Sequence, residues 1–298
     1  MKTTVHTIAF ISALLFSTST LAQESKVSIK VPGFVRPLVE KLITEYNKEN
    51  PDVEFEFLSA KAQDTENSLN ITLSDDNAIA FARYAVLPVT TKDGEAYQLL
   101  SGSRLNNKKL QRLFFEKDEF DDEYKESKVE KAVHIYSGNS QQSTSRTYAA
   151  SFDREPSEYK GKRISGDDSY LISAISRDPL GITINTLPNI YDLQSRQLRQ
   201  ELAIVPLDGS KQDRQIINEG SLDEIISLLE RHEVNEIPVL KIGLSYRHGT
   251  GSASKFARWI LTNGTTFVHE YGLLELPQKE LAAQIKRATT EDSPLACL

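Results

Sequence analysis

Cysteine is almost missing from this sequence: of 298 residues the single one is Cys297, a step from the C-terminus. A disulfide framework is therefore excluded. The histidines beyond the N-terminal segment stand apart at His134, His232, His248 and His269, so no structural zinc site can be assembled from sequence-local ligands. An excess of positive charge is missing too. Against 42 Asp+Glu there are 35 Lys+Arg, a formal charge of −7, which argues against a nucleic-acid groove. Nucleotide-binding loops are absent, since Gly249-Thr250-Gly251-Ser252 has neither a third Gly nor a Lys. Gly138-Asn139-Ser140 lacks the closing Gly of a serine-hydrolase elbow. These absences argue against an enzyme. No apolar run after the first 22 residues approaches the roughly 20 residues of a membrane span.

What is present begins with a leader. Lys2 gives a positive start, Ile8 to Phe16 (IAFISALLF) is an apolar core too short to span a bilayer, and Ser19-Thr20-Leu21-Ala22 offers a small residue before a cut ahead of Gln23. Residues 1–22 thus read as a signal peptide. Because Gln rather than Cys follows the cut, no lipid anchor is expected, and the product is expected in a bacterial periplasm.

Beyond it, apolar spacing switches between two periods. Val27, Ile29 and Val31 alternate as in a strand, then Val35, Leu38, Val39, Leu42, Ile43 and Tyr46 form a helical stripe, and Val53, Phe55 and Phe57 alternate again. Strand, helix and strand within about 35 residues make a βαβ unit with parallel pairing. Further strands are expected in 78–89 (one or two), 132–136, 181–185, 203–206 and 238–244. Helices are expected in 106–115, 146–152, 168–177, 222–231, 253–262 and 278–286. Alternation from end to end gives an α/β fold. The acidic run 116–126 lacks the Gly and ligand spacing of a calcium loop and reads as solvated surface.

Three turns that enter helices are rich in Gly or hydroxyls: Pro32-Gly33-Phe34, Ser143-Thr144-Ser145 and Gly249-Thr250-Gly251-Ser252. A helix start presents unpaired N–H groups and the positive end of the macrodipole, which suits an oxyanion, although Ser, Thr and Gly are also ordinary caps.

The order of these segments resembles the periplasmic phosphate-binding proteins of ABC transporters. The resemblance runs through VSIKVPGFVRPLVEKLITEYNKENPDVEFEF, LNNKKLQRLFFE, IYSGNSQQSTSRTYAASF, GDDSYLISAISRDPLGITIN and WILTNGTTFVHEYGLLELP, covering most of residues 24–287. It implies a two-lobed type-2 periplasmic-binding-protein fold, each lobe a mixed, mostly parallel sheet flanked by helices. Lobe 1 is then expected from 24–94 plus 189–290, and lobe 2 from 95–188. The implied function is capture of inorganic phosphate or a related oxyanion for an ABC permease, without cofactor or metal. The alternative is an envelope sensor or structural protein on the same fold with a degenerate anion site.

The implied anion contacts are Ser143, Thr144, Ser145 and Arg146 from lobe 2, with backbone N–H groups of Gly33 and Phe34 from lobe 1. Gly33-Phe34-Val35 stands where the family carries Ser-Ser-Thr, so hydroxyls are lost there and a bulky ring is expected to intrude. Asp76 and Arg83 correspond to the family's proton-accepting Asp and its Arg. If the leader is cleaved as expected, the protein is released by osmotic shock and sequencing of its N-terminus starts at Gln23. Recovery of soluble protein that retains Met1 contradicts this.

Overall fold

The computed structural model describes residues 26–291 apart from 74, 76, 118–124, 248 and 250. The leader, Asp76, most of the acidic run and Cys297 lie outside the described residues.

The first strand, β1 (Lys26–Lys30), buries Val27 and Ile29 by simple alternation. Pro32 then leads into a single 3-10 turn, Gly33–Val35, which runs on into α1 (Arg36–Tyr46). Pro37 sits in the first turn of α1, where its missing N–H leaves no bond unmade. The stripe Leu38, Val39, Leu42 and Tyr46 faces inward, as its spacing dictates. Next, β2 (Glu54–Phe57) returns parallel to β1. β3 (Ser68–Leu73) lies parallel on the other side of β1, with Leu69 and Ile71 buried. The sequence reading passed over β3.

The apolar stretch after it is a single 13-residue strand, β4 (Ile79–Thr91), buried along nearly all its length. After the short helices Glu95–Leu100, Asn107–Phe114 and Lys128–Ala132 come β5 (His134–Gly138), α2 (Thr144–Ala150), β6 (Lys162–Ile164), α3 (Ser169–Ile175) and β7 (Gly181–Thr186). Then come β8 (Leu202–Ile204), α4 (Leu222–Arg231), β9 (Val239–Tyr246), α5 (Ser252–Asn263) and α6 (Gln278–Glu291). Among the described residues no helix is long and apolar enough to cross a membrane.

Among the described residues nine strands join one mixed sheet in the order β2-β1-β3-β9-β4-β7-β5-β6, with β8 also on β4. The long β4 divides its length between two neighbourhoods. Ile79–Ala85 pair antiparallel with β9, while Val86–Thr90 pair antiparallel with β7. One half of the sheet therefore holds β1–β3 and β9, and the other holds β5–β8. Because β8 pairs with Val89–Thr91 beside β7, a boundary at 188/189 separates two strands that share the same stretch of β4.

Each half has its own aromatic cluster. Phe256 of α5 lies 4.8 Å from Phe55 and 5.0 Å from Tyr46 in the first. In the second, Tyr148 of α2 lies 5.0 Å from Phe152 and 5.5 Å from Phe114. Tyr84, at the middle of β4, ties the halves: its ring is 5.3 Å from Phe34, and its hydroxyl donates to Thr147 Oγ1 at 2.9 Å.

Candidate functional site

β5 ends in Gly138 and hands the chain to a turn whose last residue, Ser143, caps α2. Capping follows from residue type: Ser143 Oγ accepts from Ser145 N at 3.2 Å, occupying one of the helix's free donors. Ser145 Oγ accepts from Gly138 N at 2.8 Å, which closes the turn back onto β5. Ser143, Thr144 and Ser145 are all essentially buried, so every polar group here needs a partner inside the protein.

The partner is a carboxylate. Asp168, 7% exposed, accepts from Ser143 Oγ through Oδ1 at 2.6 Å. Its Oδ2 accepts from Thr144 N and from Thr144 Oγ1, both at 2.7 Å. Asp168 is itself the residue before α3, yet its side chain makes no capping bond to that helix. Asp167 does that work instead, its Oδ1 accepting from Ser169 N at 2.9 Å. Two adjacent carboxylates thus serve two helix starts, and the buried one serves its neighbour's. Asn185 Nδ2 donates to the Asp168 carbonyl at 2.8 Å and fixes the backbone behind it. A Cβ on Gly138 would stand 2.0 Å from Ser143 Oγ and 2.7 Å from Asp168 Oδ1, so only glycine leaves room for this arrangement.

The residues expected at the site separate accordingly. Ser143, Thr144 and Ser145 come together at one seat, with Thr144 giving both its N–H and its hydroxyl. Arg146 is exposed on α2. Gly33 reaches the same region from the first half, because a Cβ there would meet Asp167 Oδ2 at 1.7 Å. Phe34 does not intrude on the seat: 6% exposed, it turns into the core against Tyr84. Arg83 donates from Nε to the Glu275 carbonyl at 2.8 Å and lines a groove of about 510 Å³ together with Glu230, His232 and Asn235. Asp76 lies outside the described residues. Among the described residues no group of three His, Cys, Asp or Glu is placed to hold a metal.

Sequence reasoning missed Asp168, Asp167, Gly138 and Asn185. Gly-Asp-Asp-Ser ahead of a helix reads as an ordinary N-terminal signal. The diversion of one carboxylate to a second helix is set only by how the halves of a parallel unit stack.

No family model matches the sequence, and no curated protein matches it. Among solved structures, the chain is similar to a candidate phosphate ABC transporter substrate-binding protein with bound phosphate from Clostridium perfringens. That match has 14% identity, covers 85% of this chain and 100% of that one, and has a TM-score of 0.49. An ABC-type phosphate transport receptor from Vibrio cholerae is similar at 10% identity over 84% of this chain and 100% of that one, TM-score 0.49. A possible phosphate binding protein from Planctomyces limnophilus is similar at 10% identity over 90% and 99%, TM-score 0.46.

Burial pushes the Asp168 carboxyl above its ordinary value, against the bonds from Ser143 and Thr144 that pull it down, and the Asp167 charge adds to the rise. A carboxyl raised in the folded state holds its proton more tightly there than in the unfolded chain. Its contribution to stability is therefore greatest at acid pH and declines as pH climbs from the ordinary aspartate range through the raised value. The unfolding free energy of wild type relative to Asp168→Asn should fall across that window and level off above it, as measured by urea titration at a series of pH values. A difference that is flat, or that grows with pH, contradicts the assignment.

Proposed function

We propose that this protein is an exported, non-catalytic binding protein of the phosphate-receptor type whose oxyanion seat is filled by its own Asp168. On this reading it acts in the cell envelope as a sensor or structural partner, not as a receptor delivering free phosphate to an ABC permease. One observation carries the proposal: two of the residues expected to contact an oxyanion, Ser143 and Thr144, direct Ser143 Oγ, Thr144 N and Thr144 Oγ1 at one carboxylate. The third hydroxyl, that of Ser145, is engaged with Gly138 N.

Competition favours the carboxylate. A tethered group acts at an effective concentration on the order of millimolar or higher, so a free anion at micromolar levels loses the exchange even at equal intrinsic affinity. Entry of an oxyanion beside an ionised Asp168 also places like charges in a buried site, which is costly at low effective dielectric. Lobe 1 is then β1–β3 with Ile79–Ala85 and β9 onward, and lobe 2 begins at Val86 and ends before β9.

Removal of the plug tests this. Asp168→Gly strips three hydrogen bonds to a charged acceptor and should cost roughly 2–5 kcal/mol of stability after relief of the buried charge is deducted. Phosphate or sulfate should restore part of that loss in a saturable way in Asp168→Gly while leaving the wild-type melting temperature unmoved. If wild type is instead stabilised by micromolar phosphate, and Ser143→Ala with Ser145→Ala abolishes the effect, the protein is an importer's receptor and the proposal fails.

A further inference from the structure

We infer that Gly166–Asp168 is a strap that holds the two lobes together with no ligand between them, Asp167 resting on Gly33 as its point of contact. The inference builds on the reading of the seat as filled by Asp168.

One end of the strap is bolted to lobe 2. Asp168 is fixed at both its carboxylate and its carbonyl, the first by Ser143 and Thr144 and the second by Asn185. The turn that launches it needs Gly166, which has φ +110 and stands where a Cβ would be 2.7 Å from the Tyr170 ring. Tyr170 is more than half exposed and lies over this turn. The other end touches lobe 1. The Asp167 carboxylate points Oδ2 at Gly33, where a Cβ would be 1.7 Å from Oδ2, 2.7 Å from Cγ and 3.3 Å from Oδ1. Asp167 cannot easily swing aside, since Ser169 N holds its Oδ1.

In a two-lobed binding protein a ligand ordinarily supplies the contacts that bridge the cleft. Here the bridge is made of the chain itself. Asp168 stands in for the anion on one side, and the next residue back carries the contact across to the other. Phe34, the neighbour of Gly33, adds a second bridge through Tyr84 to Thr147. Closure is thus supplied by non-covalent contacts of the chain's own residues.

Spin labels at Thr44→Cys on α1 and Lys128→Cys in lobe 2, in a Cys297→Ser background, report the distance between lobes by pulsed electron resonance. Wild type should give one distance that micromolar phosphate does not change. Asp167→Ala removes the contact with Gly33 and should lengthen or broaden the distance between the lobes. An Asp167→Ala distribution as short and as narrow as that of wild type overturns the strap. A wild-type distance that changes with micromolar phosphate overturns the filled seat on which the strap rests, so the two failures are distinguishable.

Discussion

A buried helix start needs acceptors for its free donors, and in this protein the main acceptor is a carboxylate of the chain itself. Thr144 N, Thr144 Oγ1 and Ser143 Oγ lie out of reach of solvent, and each would cost about 1–3 kcal/mol if left unpaired. Asp168 satisfies all three at 2.6–2.7 Å. Much of the local architecture follows from that need. Gly138 must lack a side chain to admit the Ser143 hydroxyl, Asn185 must hold the Asp168 carbonyl, and Asp167 must take over the capping of α3 that Asp168 gives up.

The arrangement also explains how a site can retain the chemistry of anion recognition without offering it to solution. Hydroxyls at a helix start bind a carboxylate or a phosphate by the same charge-assisted bonds. What differs is tethering. A free anion leaves and returns, and the lobes of its receptor respond. On the proposed reading the tethered one fixes the lobes, and the donors become structural.

Much of this was legible in the sequence. The period-two alternation at Val27–Val31 and Phe55–Phe57, and the helical stripe from Leu38 to Tyr46, gave β1, α1 and β2 with their parallel pairing, because burial of one face leaves a strand or helix little choice of register. Ser143–Ser145 stood out through its hydroxyls at a helix start together with the family resemblance, with ordinary capping as the alternative. β3 was missed although Ser68-Leu69-Asn70-Ile71-Thr72-Leu73 alternates as strictly as β1 does, so its signal was present in the sequence. The single span of β4 was ambiguous because a strand buried on both faces shows no alternation at all. Asp168 was out of reach for a different reason: a carboxylate next to a helix reads locally as that helix's cap, and its partner lies 24 residues away. Phe34 shows the converse, an aromatic whose place beside a turn suggested an obstructed cleft while its apolar ring had a core to enter.

The central claim is that the oxyanion seat is occupied from within, and equilibrium dialysis of the wild-type protein against radiolabelled phosphate at neutral pH tests it most directly. The account predicts no saturable uptake below concentrations on the order of millimolar, the effective concentration of the tethered Asp168. Saturable binding of one phosphate per chain at micromolar concentration contradicts it.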